Sequence, residues 1–165
     1  MSMGSGIGVG ANADRRTQGK RTMAFVDWDA TYSVKSEVLD RQHQKMFQIV
    51  NHLHEAIFAK RAKAELESVI GDLMEYTRTH FAEEERQMAQ HHFPEAKLAE
   101  HRDAHQQLVR QVEDIANRFR NGDQRMAAEV MCFLVGEWLM KHILSMDKQY
   151  APYMKGAGSP PHAAD

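Results

Sequence analysis

Seven residues with metal-binding side chains are spread over four stretches of the sequence. They are five histidines and two carboxylates: His43, His80, Glu84, His101, His105, His142 and Asp147. A residue four positions along an α-helix returns to nearly the same face, about 40° round and about 6 Å further along. His80 and Glu84 can therefore direct two donor groups to one point. The pair His101 and His105 has the same spacing, so the pattern is typical of a metal site.

The donor set also indicates how many metals the site holds. Five imidazoles and two carboxylates exceed the four ligands of a closed structural zinc site, but they suit two borderline metals that share bridging ligands. We expect iron, because two carboxylates and a bridging hydroxide reduce the charge of two Fe(II) ions to one, which makes burial tolerable. If both carboxylates bridge, the histidines divide three and two. One iron is then saturated, and the other keeps an open position where O2 would bind.

The four stretches fall on four predicted helices. Apolar residues recur at i, i+3, i+4 and i+7 along the first, Asn121-Gly122 ends the third, and no β-strand alternation competes. The predicted helices span residues 36–59, 62–90, 94–120 and 123–149, the last capped by Asp123 and closed by Pro152. Short connections make neighbouring helices antiparallel, so the sequence predicts an all-α, up-down-up-down four-helix bundle with an N-terminal arm at residues 25–32.

This topology places the seven residues together. They lie early in the first and third predicted helices and late in the second and fourth. In an up-down-up-down bundle these positions all fall at the same end. We therefore expect one site inside the bundle.

Length and composition indicate one ordinary domain with tails. The 165 residues are 42% hydrophobic and 27% charged, with a net charge of −2, so nucleic acid is not an expected partner. No apolar run approaches the length of a membrane span. The lone Cys132 excludes an internal disulfide, and we expect it to be a buried packing residue. We expect a cytoplasmic monomer with a flexible tail at residues 1–22, a domain at residues 23–154 and a flexible tail at residues 155–165.

Four motifs make the sequence similar to a known family. They are Asp40-Arg41-Gln42-His43, His80-Phe81-Ala82-Glu83-Glu84-Glu85, His101-Arg102-Asp103-Ala104-His105, and Trp138-Leu139-Met140-Lys141-His142-Ile143 followed by Asp147. Over about residues 28–150 the chain resembles a bacterial single-domain hemerythrin. The resemblance implies two oxo- or hydroxo-bridged irons per chain, with Glu84 and Asp147 as bridges. It assigns the saturated iron to His101, His105 and His142, and the open iron to His43 and His80.

The resemblance also implies a function. Proteins of that family bind O2 reversibly, which suggests oxygen storage, delivery to an oxygen-consuming enzyme, or sensing. A di-iron enzyme that reduces peroxide or nitric oxide, and an iron store, remain as alternatives. The histidine-rich donor set favours the carrier, because di-iron oxidases of the ferritin type depend on carboxylate-rich Glu-x-x-His pairs.

Apolar residues near the predicted ligands are expected to wall the oxygen pocket. They are Met46, Phe81, Leu134 and Trp138. Ordinary core packing would serve equally well as their role, and both can hold. Trp28, in the arm, is a candidate cover over the mouth of the site.

Several nearby positions allow more than one interpretation. Glu83 also reaches the His80 face, but the family register favours Glu84, so we expect Glu83 and Glu85 to be solvated. Asp40 either orients a ligand or serves the helix dipole. Lys35-Ser36 stands where many relatives have a glycine and an apolar residue, which leaves the geometry of the arm open.

The remaining histidines match no site geometry. We expect His52, His54, His91, His92 and His162 to lie in solvent or at helix ends.

The spacing of His142 and Asp147 on the fourth predicted helix is unusual for two ligands. In a regular helix, five residues rotate Asp147 roughly 140° from His142. Because an aspartate side chain is short, either the two residues flank the cluster, or the turn between them is widened. We predict the second alternative, a local departure from i to i+4 hydrogen bonding between His142 and Asp147.

Overall fold

The computed structural model describes residues 24–122 and 133–154, which fold into four helical legs. The helices of the first three legs are α1 (Glu37–Phe58), α2 (Lys63–Gln90) and α3 (Glu95–Arg120). The fourth leg is a π-helix (Phe133–Asp147) that continues directly into α4 (Lys148–Met154). A 3-10 turn (Ala30–Tyr32) lies in the arm before α1. No strand occurs in the described ranges, and the expected all-α bundle is confirmed.

The ends of the first three helices follow local sequence signals. The Ser36 hydroxyl caps α1 by accepting a hydrogen bond from the Leu39 amide at 3.4 Å. Pro94 immediately precedes α3, and Gly122, with φ of 91°, follows its last turn. All six ends of α1, α2 and α3 lie within one residue of the sequence prediction, so local sequence signals were sufficient to locate them.

The fourth leg departs from the prediction at its end. Pro152 was expected to close the helix, but it lies inside α4, and that prediction is wrong. Proline inside a helix removes one amide donor and crowds the carbonyl of the preceding turn, so other interactions must offset this cost. Ala151 and Met154 are buried in the core, and this packing keeps the chain helical beyond the proline. The predicted cap Asp123 and the predicted packing residue Cys132 lie outside the described residues.

Two apolar clusters form the core, and a polar layer separates them. The larger cluster includes Leu53, Phe81 and Trp138, and the smaller one includes Leu39 and Met88. Each leg contributes to both clusters and places its polar residues between them. On α2, for example, Phe81 belongs to the larger cluster and Met88 to the smaller one, and the buried Glu84 lies between. The bundle therefore surrounds the polar layer with apolar side chains above and below.

The arm is fastened to the bundle by polar contacts. The Asp40 carboxylate accepts hydrogen bonds from the Ser33 hydroxyl at 2.6 Å and from the Val34 amide at 2.7 Å. The Lys148 ammonium donates to the Ser33 carbonyl at 2.6 Å. Asp40 therefore ties the arm to α1 rather than orienting a ligand, although its place in the first turn still suits the helix dipole.

Lys35, which stands where many relatives have a glycine, adopts a backbone conformation typical of glycine. Its φ is 64°, in the left-handed region that a side chain disfavours. The arm therefore makes the turn that a glycine would make, at some cost in backbone energy.

None of the described helices is long and apolar enough to cross a membrane.

Candidate metal centre

The structure brings all seven predicted ligand residues together in the polar layer. All seven side chains are buried, none more than 6% exposed. Their donor atoms form two groups, each within 4.8 Å: one contains Glu84, His101, His105, His142 and Asp147, and the other contains His43, His80 and Glu84. The histidines thus divide three and two, which is the division that two bridged metals would need.

Asp147 faces both groups of histidines. Its Oδ1 atom lies 3.2 Å from His101 Nε2 and 3.1 Å from His142 Nε2. Its Oδ2 atom lies 3.5 Å from His43 Nε2, in the other group. One carboxylate that directs its two oxygens to two separate sets of imidazoles has the arrangement of a bridging ligand.

Glu84 also lies between the two groups. Its Oε2 atom is 3.0 Å from His105 Nε2 and 3.6 Å from His101 Nε2. Its Oε1 atom is 3.9 Å from His43 Nε2, and His80 Nε2 lies 3.9 Å from Oε2. Glu83, the alternative at i+3, points away and pairs with Arg86.

The π-helix resolves the spacing of His142 and Asp147. A π-helix joins residue i to residue i+5, so residues five apart lie nearly above one another. The predicted departure from α-helical bonding is confirmed, and within the described residues it covers Phe133–Asp147, which is longer than the single turn expected. The wider turn lets the short Asp147 side chain reach the same point as the His142 ring.

The buried donor atoms fit a metal because the protein leaves them without hydrogen bonds. Among the described residues, the buried side-chain atoms with no hydrogen-bond partner are His43 Nδ1 and Nε2, Glu84 Oε2, His101 Nε2, His105 Nε2, His142 Nε2, and Asp147 Oδ1 and Oδ2. Every one belongs to the cluster. Buried polar atoms in native proteins are normally paired, so this concentration indicates a site for cations.

The electrostatics of the cluster also favour positive charge. Burial acts to lower the pKa of His101, but the Asp147 and Glu84 carboxylates outweigh it and raise that pKa to about 10. Burial opposes ionisation of Glu84, yet the surrounding imidazoles hold its pKa well below the usual range. The positive charge that the two carboxylates favour at His101 is the charge that a metal bound between these residues would supply.

Outer contacts hold two of the rings, and the sequence signalled neither. His80 Nδ1 lies 2.9 Å from the amide oxygen of Gln42, and His105 Nδ1 lies 2.8 Å from Glu85 Oε1. Glu85 was expected to be solvated, and that prediction is wrong, because the crossing of α2 and α3 brings it to His105. A carboxylate or amide behind a ligand histidine fixes the tautomer and ring orientation.

Tyr150 is a site residue that the sequence analysis missed. Its buried hydroxyl donates a hydrogen bond to Glu84 Oε1. Burial raises the pKa of Tyr150 well above its usual value, so the phenol keeps its proton and acts as a donor. The only available signal was its position three residues beyond Asp147, on the same face of a helix.

Apolar side chains close the cluster on the side of the larger core cluster. The Phe81 ring stacks on the His105 ring, with centroids 3.7 Å apart and planes 6° apart. Trp138 meets Phe81 edge-on at 6.2 Å. Met46 and Leu134, the other predicted wall residues, are also buried in the larger cluster. The surroundings of the rings on this side are therefore dry.

The arm covers the side of His43. The half-buried Trp28 ring lies 6.0 Å from the His43 ring and packs edge-on against Phe47 at 5.5 Å. Tyr32 is buried beside them. This position agrees with the expectation that Trp28 covers the site.

The other described histidines lie away from the cluster. His91 and His92 occupy the end of α2, and His52 is exposed on α1. His54 stacks against Phe25 with ring centroids 4.1 Å apart. None of these four belongs to a group of donors, while His162 lies outside the described residues.

Comparison of the sequence with known proteins finds relatives with closely related names. The chain is 29% identical to a bacteriohemerythrin of Stenotrophomonas maltophilia over 133 residues, which cover 81% of this chain and 84% of the relative. It is 30% identical to a bacteriohemerythrin of Methylococcus capsulatus, covering 79% of this chain and 97% of the relative. A myohemerythrin of Riftia pachyptila is 29% identical, covering 74% and 88%.

Structural and family comparisons agree with these relatives. A solved wild-type hemerythrin structure superposes with a TM-score of 0.67 at 28% identity, covering 79% of this chain and 98% of the other. The family model described as the hemerythrin HHE cation binding domain matches residues 34–154, which include all seven cluster residues. The chain therefore belongs to the hemerythrin family.

Proposed function

We propose that this protein binds O2 reversibly at a non-haem di-iron centre, for oxygen storage, delivery or sensing. The carrying observation is the division of the cluster into three and two histidines about Asp147, whose two oxygens face different groups. The names of the relatives support the same proposal. We also propose that the protein acts in the cytoplasm as a monomer. In the delivery role, its partner would be an oxygen-consuming enzyme.

The five histidines would be divided unequally between the two iron positions. His101, His105 and His142, with the two carboxylates and a bridging hydroxide, would fill the coordination of one iron. His43 and His80 would supply only two imidazoles to the other, so a small ligand could bind there. When bound, the iron pair would supply two electrons to O2 and recover them on release.

The apolar surroundings favour a carrier over an oxidase. Phe81 and Trp138 exclude water from one side of the rings, and Trp28 lies over His43. Without water, partly reduced oxygen is less readily lost from the site. The histidine-rich donor set also differs from the carboxylate-rich sets of di-iron oxidases.

A spectroscopic experiment tests this proposal directly. Purified chain is loaded with Fe(II) under anaerobic conditions, its iron content is measured, and absorption spectra are recorded before and after O2 is added. We expect about two irons per chain, a new visible band with O2, and loss of that band when argon removes the gas.

Two outcomes would contradict the carrier. Fast, repeated consumption of peroxide or nitric oxide, without a stable oxygen spectrum, would support a di-iron enzyme. Uptake of many irons per chain, with no effect of O2 removal, would support iron storage.

A further inference from the structure

The two histidine groups differ in what stands behind their rings. In the group of three, His105 Nδ1 lies 2.8 Å from the carboxylate oxygen Oε1 of Glu85. In the group of two, His80 Nδ1 lies 2.9 Å from the uncharged amide oxygen of Gln42. His43 Nδ1 is buried and has no hydrogen-bond partner among the described residues. Among the described residues, a negatively charged group therefore stands behind a ligand ring in the first group, and none does in the second.

Glu85 is held in this position by neighbours on α3. Its Oε2 atom lies 3.4 Å from Arg102 Nε, and Arg102 also pairs with Glu95 at 3.4 Å. The Phe81 ring stacks on a face of the His105 ring, while Glu85 contacts the edge of that ring at Nδ1. His105 is thus fixed both in its plane and at its outer nitrogen, and its inner nitrogen points at Glu84.

The charge behind an imidazole changes its strength as a ligand. A carboxylate that accepts the outer N–H of a ligand histidine makes the ring a more basic donor, while a neutral amide does so less. A more basic donor stabilises the ferric ion relative to the ferrous ion, because the ferric ion carries more charge.

We propose that Glu85 and Gln42 are positioning residues that make the two metal positions unequal, so that oxidation begins at the position held by His101, His105 and His142. The inference rests on the proposed di-iron function and deepens it. The position with few donors then keeps its ferrous state to a higher potential.

Glu85→Gln and Gln42→Glu test the proposal as a reciprocal pair. Each iron-loaded variant and the unaltered chain are oxidised anaerobically in an electrochemical titration that removes one electron per step. We expect Glu85→Gln to raise the potential of the first step, by about 59 mV for each tenfold change in its equilibrium constant. We expect Gln42→Glu to lower the potential of the second step.

A matched control separates this effect from loss of a surface charge. Glu113 lies on α3, eight residues beyond His105, and pairs with Arg78 at 2.7 Å; it does not belong to the cluster. Glu113→Gln removes the same charge from a carboxylate–arginine pair. We expect the potentials of this variant to match those of the unaltered chain.

Iron content, measured first on every sample, separates failure of the inference from failure of the function. An unaltered chain with fewer than two irons would overturn the proposed function and this inference together. Two-iron variants whose potentials move no further than those of Glu113→Gln would overturn the inference alone. Because the titration contains no O2, its outcome does not depend on reversible oxygen binding. If Glu85→Gln does not fold, the shift in Gln42→Glu decides the matter.

Discussion

At the scale of single residues, the polar layer is distinguished by donor atoms that have no hydrogen-bond partner among the described residues. His101 Nε2 lies 3.2 Å from Asp147 and 3.6 Å from Glu84, yet it makes no hydrogen bond within the described part of the chain. Such atoms are costly in an apolar interior unless a cation engages them. Their arrangement therefore makes metal binding and the local structure depend on each other.

His101→Ala is expected to lower the iron content from about two per chain to at most one. The substitution removes an imidazole that faces both carboxylates, so the iron it would help to hold loses a ligand. Iron per chain, measured by a colorimetric assay after gel filtration, checks this. His91→Ala, at the end of α2, is the control and should retain two irons. Retention of two irons by the His101 variant would remove that residue from the ligand set.

Trp138→Ala is expected to hasten autoxidation of the oxygenated protein. Trp138 is 2% exposed and packs against Phe81, so its removal opens space beside the His105 ring and admits water. The visible band of the oxygenated protein, followed over time in air, checks this.

Leu53→Ala supplies a control for the loss of stability. Leu53 is buried ten residues along α1 from His43, about 15 Å away along the helix axis. Both substitutions should cost about 2–5 kcal/mol of unfolding free energy, because both leave a cavity. If Trp138→Ala oxidised no faster than Leu53→Ala, Trp138 would be an ordinary core residue.

At the scale of elements, the fourth leg and the arm deviate from regular geometry where they meet the cluster. The π-helix aligns His142 with Asp147, and α4 then carries Tyr150 to Glu84. The arm turns sharply at Lys35 before α1 begins. π-turns occur preferentially at functional sites, which agrees with the position of this one.

Lys35→Gly is expected to raise the free energy of unfolding by about 0.5–1 kcal/mol. Lys35 has a φ of 64°, where a residue with a Cβ is strained, and glycine relieves that strain at some cost in chain entropy. Urea denaturation of iron-loaded protein measures the change.

The same substitution within α1 should act in the opposite direction. Lys45 is exposed inside the helix, so Lys45→Gly should destabilise the protein by about 1 kcal/mol. A destabilising effect of Lys35→Gly would show that the side chain of Lys35 contributes more than its backbone strain costs.

At the scale of the whole molecule, the cluster lies between two apolar cores and depends on contributions from all four legs. Metal bound there would connect helices that are far apart in sequence. Ligands that bind only the folded state stabilise it by mass action. The metal is thus expected to act as a cross-link between the legs.

Removal of iron is expected to lower the melting temperature by roughly 6–12 °C. Without a cation, buried donor atoms stay unsatisfied, at a cost of at least about 3 kcal/mol when a few such atoms are counted at about 1–3 kcal/mol each. For a chain of this size, one kcal/mol corresponds to roughly 2–4 °C. Differential scanning calorimetry with and without an anaerobic chelator measures the change, and added Zn(II) should restore part of it. His101→Ala should respond less, and an equal response would contradict the metal cross-link.

Deletion of residues 1–22 and 155–165 is expected to leave the iron content and the melting temperature unchanged. The family match covers residues 34–154, and the arm is hydrogen-bonded to the bundle at Val26, so both lie within the predicted domain at residues 23–154. Deletion of residues 1–36 is the contrasting variant, because it also removes the arm contacts of Trp28 and Ser33 and should lower the melting temperature.

The sequence by itself determined the helices, their order and the residues of the cluster. Apolar periodicity and capping residues act within a few positions, so the ends of α1, α2 and α3 could be located to within a residue. The five-residue interval between His142 and Asp147 also carried information, because a regular α-helix turns these residues roughly 140° apart and the short Asp147 side chain cannot make up that angle. Local patterns therefore anticipated the departure of the fourth leg from α-helical bonding.

Only the tertiary structure decided which residues support the cluster from outside. Glu85 meets His105, and Tyr150 meets Glu84, across pairs of different helices. Asp40 turned out to hold the arm, and burial of Met154 carried α4 beyond Pro152. Such contacts depend on how helices cross and rotate against one another. No pattern along a single helix encodes that geometry, because it arises when separate apolar faces pack into common cores.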